Sequence, residues 1–145
     1  MKAKMMIRVV FAVIVWMVFS FSGLSQAGDV ILIVNKNVPV GSLKAEEVQG
    51  IFLANKTQWD NGQKIDFVTL QQCPVHDEFL KKFVQKTSSQ YQRYFRTLVF
   101  TGKGKVPPAF DSEDKVVSYV ASTEGAIGYV SSGTDIGAAK VLTVN

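Results

Sequence analysis

The chain is poor in the residue types that build disulfides, metal centres and nucleophilic active sites. Its 145 residues include one cysteine, Cys73, and one histidine, His76. A lone cysteine excludes an intramolecular disulfide, so Cys73 is a buried small residue, a free thiol or half of an intermolecular bridge. A lone histidine excludes a His-rich metal site, and cysteine and histidine at i, i+3 seldom form a nucleophile–base pair. No carboxylate pair is spaced for acid–base work, so we expect no enzyme and no cofactor.

The N-terminal residues have the three parts of a secretory signal. A basic segment (residues 2–8) precedes an apolar one (residues 9–21), and small residues follow at 25–27. The apolar segment is shorter than the roughly 20 residues of a membrane span, although an uncleaved anchor is the competing interpretation. No cysteine follows it to accept a lipid. We expect a signal peptide over residues 1–27, a single domain over 28–145 and a periplasmic location.

Removing the signal also removes most of the net positive charge. Three of the 16 lysines and arginines precede residue 28, which leaves 13 against 12 acidic residues. The net charge of the remaining chain is therefore +1, and a nucleic-acid partner loses its main support. The apolar patterns after residue 28 also predict no membrane span once the signal is removed.

Short apolar patterns after residue 28 alternate between strand and helix. Val30–Val34 is a continuous apolar run, which is typical of a buried central strand. Ser42 is suited to cap a helix that runs to Phe52, and Thr87–Gln90 fits a capping box at the start of another helix. Lys140–Val144 alternates as a final strand at an edge of the sheet. The order of patterns predicts an α/β fold with at least one parallel strand pair.

The central unit is a strand that turns sharply into a helix. Residues 64–70 read as the strand, and an apolar stripe over Val75–Val84 predicts the helix. Pro74 suits the first helical position, where its missing N–H is no loss. Such a bend offers backbone N–H groups at the edge of the sheet, where α/β folds bind ligands. We therefore expect ligand contacts from Gln71, Gln72, Cys73, Val75 and His76.

Three other features suggest ligand binding, and each has a simpler structural interpretation. Trp59 is either a ligand platform or a lid on the core. The Gly-Lys-Gly-Lys run at 102–105 lacks the spacing and the hydroxyl residue of a phosphate-binding P-loop. Cys73, His76 and Asp77 crowd one turn as three metal ligands would, but a solvated helix start is the simpler interpretation. We expect no metal site.

Several segments together resemble one lobe of the type 2 periplasmic solute-binding proteins, in particular the phosphate-binding proteins of ABC transporters. The resemblance covers Leu43–Phe52 with Trp59, the central unit and Leu98–Gly102. Its strongest motif is Glu124–Val130 (EGAIGYV), which is similar to the family's PGAIGYV. This resemblance implies an α/β, single-lobe, periplasmic-binding-protein-like domain with a mixed sheet flanked by helices.

Two departures from that family limit what the resemblance implies about the ligand. The family closes two lobes on its ligand, and residues 28–145 have room for one. The family's phosphate loop carries an arginine and a Ser-Gly-Thr helix start, where this chain has Gln71-Gln72-Cys73-Pro74. Asp77 and Glu78 would also repel an anion there. Ser132-Gly133-Thr134 spells the lost tripeptide but follows the last motif strand.

Two functional hypotheses remain open at this point. In the first, the chain is an exported, non-enzymatic solute-binding domain for phosphate or a related small oxyanion, connected with ABC-type uptake. In the second, it has lost ligand capture and docks on an envelope or membrane partner. One lobe supplies only one wall of a pocket, so a homo-oligomer or a second protein would have to provide the other.

Overall fold

The computed structural model describes residues 29–145. The signal peptide predicted over residues 1–27 lies outside the described residues. Among the described helices, none is both long enough and apolar enough to span a bilayer.

A mixed β-sheet forms the centre of the domain. The strands are β1 (Val30–Val34), β2 (Ser42–Leu43), β3 (Asp66–Phe67), β4 (Thr69–Leu70), β5 (Ala109–Phe110), β6 (Ala126–Ser131) and β7 (Lys140–Val144). Five of them form one sheet in the order β2-β7-β1-β6-β3, and β4 pairs with β5. β1 is antiparallel to both neighbours, whereas β2–β7, β3–β6 and β4–β5 are parallel. The predicted parallel pairing is confirmed.

The apolar run Val30–Val34 occupies the middle of the sheet, as its composition predicts. Ile33 and Val34 are 0 % exposed, and both edges of β1 are hydrogen-bonded to neighbouring strands. A strand with polar side chains on alternate positions would leave unpaired polar groups in this environment. The prediction of a buried central strand is confirmed.

Within residues 29–145, four α-helices surround the sheet: α1 (Ala45–Phe52), α2 (Pro74–Phe79), α3 (Ser88–Phe100) and α4 (Glu113–Ser122). α2 continues directly into a π-helical turn over Leu80–Val84, which ends at Gln85 with φ of 59°. Pro74 is the first residue of α2, and the capping box predicted at Thr87 and Gln90 is present. The expected mixed α/β architecture with helices around the sheet is confirmed.

Two predictions about the edge of the sheet are wrong. Lys140–Val144 is not an edge strand, because β7 lies between β1 and the two-residue strand β2. Ser42 does not cap α1 either, since it belongs to β2 and the helix begins after Lys44. The short β2 carries too little pattern to be detected in the sequence, and its pairing with β7 uses the residues that the capping interpretation needed.

Trp59 belongs to the core. Its side chain is 2 % exposed, and the indole Nε1–H donates to the carbonyl oxygen of Gly125 at 3.1 Å. A ligand platform would present the ring face to solvent, so the structure supports the lid interpretation. The contact joins the loop before β3 to the residue that precedes β6.

Candidate functional site

The bend between β4 and α2 lies where the sequence places it, but part of its backbone is already used. β4 ends at Leu70, and the N–H of Gln71 donates to the carbonyl of Phe110 at 2.8 Å, which extends the β4–β5 pairing by one bond. Cys73 is the N-terminal flanking residue of α2 and has extended backbone angles. The backbone N–H of Gln71, the first of the groups expected to be free for a ligand, is therefore already hydrogen-bonded.

A cleft of about 320 Å³ lies beside the bend, between β4, α2, α3 and the loop before β5. Three of the predicted site residues, Gln71, Gln72 and His76, line it. The other two predicted residues, Cys73 and Val75, lie outside its lining, are half-buried and pack against the hydrophobic core. The packing of Cys73 is the environment expected of a buried small residue.

The side chain of Gln72 is held in a network across the bend. Its amide Nε2 donates to both carboxylate oxygens of Asp77, at 2.8 and 3.0 Å. Its Oε1 accepts a hydrogen bond from the hydroxyl of Ser88 at the start of α3. Gln72 therefore joins the beginnings of two helices and keeps the Asp77 carboxylate close to the cleft.

His76 is buried rather than solvated, which corrects the interpretation of this turn as a solvated helix start. The residue is 5 % exposed, and its Nδ1 lies 2.5 Å from the hydroxyl of Tyr129. That hydroxyl accepts from the backbone N–H of Leu70 at 2.9 Å, and within residues 29–145 its own proton has no acceptor other than Nδ1, so we assign the proton to that bond. The neutral imidazole then carries its proton on Nε2 and has one N–H left to donate.

Burial sets the protonation of both partners. It lowers the pKa of His76 below 6.5, against the smaller opposing effect of the Asp77 charge. Burial also raises the pKa of the Tyr129 hydroxyl, which stays protonated. Tyr129 is 0 % exposed and stacks on Phe79 with ring centroids 3.7 Å apart. The pair therefore fixes the wall of the cleft as a neutral hydrogen-bonded unit at neutral pH.

Acidification should destabilise the domain through His76. Because the folded-state pKa is lowered, the unfolded chain takes up this proton first, and stability is lost as the pH falls from 6.5 towards the folded-state pKa. One proton limits the slope to about 1.4 kcal/mol per pH unit, and partial solvent access at the cleft makes it smaller. Urea unfolding of the native chain and His76→Gln between about pH 7.5 and 5 measures it. Equal pH slopes would contradict the prediction.

Sequence reasoning missed the polar row on α3. Ser88, Gln92 and Arg96 follow one another at four-residue spacing and all line the cleft. Arg96 forms none of the ion pairs found within residues 29–145, and its side chain is exposed. The spacing was available in the sequence, but the apolar stripe of the same helix, with Tyr91 and Phe95 buried, dominated its interpretation.

The Ser-Gly-Thr sequence at 132–134 takes part in a structural network. Thr134, of the Ser-Gly-Thr sequence, donates to the Glu113 carboxylate at 2.9 Å, and the N–H of Ser131 donates to the same carboxylate at 2.7 Å. This network joins the start of α4 to the end of β6. Within residues 29–145, no cluster of three or more metal-ligating side chains is present.

Comparisons with known proteins address the fold directly. The sequence profile described as the PBP superfamily domain matches residues 25–144. The chain belongs to the PBP superfamily. A search of curated proteins finds no match.

Three solved structures share the fold of this PBP domain. PstS from Borrelia burgdorferi superposes with a TM-score of 0.65 at 18 % identity, over 81 % of this chain and 47 % of its own. A putative phosphate ABC transporter substrate-binding protein with bound phosphate from Clostridium perfringens gives 0.62 at 22 %, over 81 % and 45 %. An ABC-type phosphate transport receptor from Vibrio cholerae gives 0.55 at 20 %, over 81 % and 46 %.

This PBP domain spans slightly less than half the length of those structures. At identities of 22 % and below the likeness concerns the fold, and it confirms the single-lobe architecture implied by the sequence motifs. Two of these proteins are named as a substrate-binding protein and as a transport receptor.

Proposed function

We propose that this PBP domain binds a small oxyanion, phosphate or a close relative, in the cleft beside α3. The observation that carries the proposal is the position of Arg96, which lines the same cleft as Gln71 and His76. The shared fold with phosphate receptors, one of them with bound phosphate, supports the ligand class. The predicted export and periplasmic location fit such a role.

Oxyanion binding needs several hydrogen-bond donors directed at one point, because they must offset the loss of hydration. The cleft provides the guanidinium of Arg96, the Nε2–H of His76 and the side-chain amides of Gln71 and Gln92. Arg96 supplies from a helix the positive charge that the strand–helix bend lacks. These donors replace, in a different arrangement, the arginine and hydroxyls missing from residues 70–75.

Two features reduce the affinity of the isolated domain. The carboxylate of Asp77 is held beside the cleft by Gln72 and repels an anion. The described residues also form one wall, whereas a tight site encloses most of its ligand. We therefore propose that a second copy or an envelope partner provides the opposite wall when the domain takes part in ABC-type uptake.

Phosphate should bind the purified chain weakly, with a Kd of roughly millimolar, which is about −4 kcal/mol. Replacing Arg96 by glutamine removes a charged donor and should weaken binding by about tenfold or more. Arg93→Gln is the matched control, because Arg93 is also exposed on α3 but does not line this cleft. Isothermal titration calorimetry with phosphate and sulfate measures all three proteins.

The opposing carboxylates provide a second test of the same site. Replacing Asp77 and Glu78 by asparagine and glutamine should strengthen anion binding, since it removes two nearby negative charges. Binding that tightens with protein concentration would support a wall supplied by a second copy. Sub-micromolar binding by a verified monomer would contradict the one-wall proposal, and equal affinities of the native, Arg96 and Arg93 proteins would exclude this cleft.

A further inference from the structure

The C-terminal end of α3 carries the most exposed large apolar side chain of the described residues. Phe100 is 93 % exposed, Val106 is 64 % exposed and Val99 is 46 % exposed. Lys103 and Lys105 lie between them in the chain and are also exposed. The loop folds back on the helix, because the N–H of Lys103 donates to the carbonyl of Leu98 at 2.9 Å. We call Val99, Phe100, Lys103, Lys105 and Val106 the basic tip.

The basic tip lies in a positive segment of a chain whose charges are unevenly distributed. Residues 79–110 contain seven lysines and arginines and no acidic residue, whereas the rest of residues 28–145 contains six basic and 12 acidic residues. The ion pairs found within residues 29–145 join Lys56 and Lys115 to carboxylates, and none uses a cation of residues 79–110. The net charge of residues 28–145 is only +1, but residues 79–110 alone carry +7 and create a local positive potential.

We propose that the basic tip docks this domain on an anionic lipid surface, with Phe100 inserted at the level of the headgroups. An exposed aromatic ring flanked by lysines combines the two contributions that hold peripheral proteins on such membranes, apolar burial and attraction to acidic headgroups. This surface adjoins the cleft, whose lining includes Val106, but Phe100, Lys103 and Lys105 lie outside that lining. Docking on lipid therefore goes beyond anion capture and does not use its hydrogen-bond donors.

The charge distribution disfavours a second copy that docks through its own basic tip. A symmetric dimer through this face would place the positive segments of two copies against each other, and like charges across an interface are repulsive. An acidic protein would satisfy the charge, but the centres of protein interfaces are depleted of lysine and are built from contiguous apolar side chains. Here Lys103 and Lys105 separate Val106 from Val99 and Phe100 along the chain, and Phe100 is the most exposed of the three apolar residues.

The test compares vesicles of phosphatidylcholine alone with vesicles that also contain phosphatidylglycerol. Hydrogen exchange of the full chain is measured at the amides of residues 99–106. Attachment through the apolar residues 9–21 is expected with both kinds of vesicle, so a difference between the vesicles at residues 99–106 reports on the basic tip. We expect the anionic vesicles to slow exchange there by about tenfold, which corresponds to roughly nine-tenths of the molecules docked. Phosphatidylcholine should have little effect, and high salt should reverse the protection.

Two pairs of variants separate insertion from general charge. Phe100→Ser should lose most of the protection, whereas Val141→Ser, at a 49 % exposed apolar site on β7, should keep it. Lys103→Glu with Lys105→Glu should abolish it. Lys36→Glu with Lys64→Glu changes the net charge equally at two exposed lysines elsewhere and should have a much smaller effect. Exchange at residues 99–106 that is unchanged by anionic vesicles would overturn the proposal and favour an acidic protein. Equal losses in the tip and control variants would also overturn it.

Discussion

Replacing Gly125 by alanine should destabilise the domain by about 3 kcal/mol or more, the largest effect that we expect from one methyl group. Gly125 has φ of +76°, and a Cβ atom there would lie 2.2 Å from the carbonyl oxygen of Lys64. An alanine at positive φ costs about 1–2 kcal/mol, and forcing apart two packed segments costs about 1–3 kcal/mol more. The carbonyl oxygen of Gly125 also accepts hydrogen bonds from the indole N–H of Trp59 and the backbone N–H of Asp66, and a shift of residue 125 would weaken both.

Gly62→Ala is the matched control for Gly125→Ala. Gly62 has φ of +84°, but its added Cβ would meet no atom within 4 Å. It should lose only the conformational part, about 1 kcal/mol. Urea unfolding monitored by the fluorescence of the buried Trp59 gives both values. Equal losses at the two positions would mean that the backbone near Lys64 moves aside without cost.

Replacing Phe95 by alanine should cost about 3–5 kcal/mol, while the same change at Phe100 should stay within about 0.5 kcal/mol. Both residues lie on α3, but Phe95 is 2 % exposed and Phe100 is 93 % exposed. The ring of Phe95 packs edge-on against Tyr91 at a centroid distance of 5.0 Å. Chemical denaturation of the two variants compares a buried and an exposed phenylalanine of the same helix. A loss below about 1 kcal/mol at Phe95 would contradict its place in the core.

Elements whose patterns are long or chemically distinctive could be predicted from the sequence. The five apolar residues of β1 have no stable position except a sheet interior, and the capping box at Thr87 satisfies backbone donors that only a helix start leaves open. Pro74 likewise fixes the start of α2. These signals are local, so they survive without knowledge of the tertiary contacts.

Features that depend on distant partners could not be predicted. β2 and β5 have two residues each, and they are strands only because β7 and β4 lie beside them. The π-helical turn follows an apolar stripe that an α-helix would also explain. Segments this short cannot show the hydrophobic periodicity that distinguishes a strand or a π-helical turn from an α-helix.

The candidate site shows the same division. The bend at Gln71 is a local feature, and the sequence located it. The burial of His76 depends on the hydroxyl of Tyr129, 53 residues further along the chain, and the position of Arg96 depends on how α3 packs beside β4. A polar residue such as histidine at a helix start was expected to be solvent-exposed, whereas tertiary packing buries His76.

The pairing of β1 also has a consequence for the order of folding. Among the residues that the structure describes, Val30–Val34 has no hydrogen-bonded neighbour strand from the first half of the chain, because its partners are residues 127–131 on one side and 140–142 on the other. The most apolar strand of the domain therefore stays unpaired until those distant segments are available, and closing such long loops is slow. During synthesis or refolding it is the segment most exposed to mispairing with another chain. A binding partner or chaperone that covers residues 30–34 at this stage would protect the domain more than one that covers any of its helices.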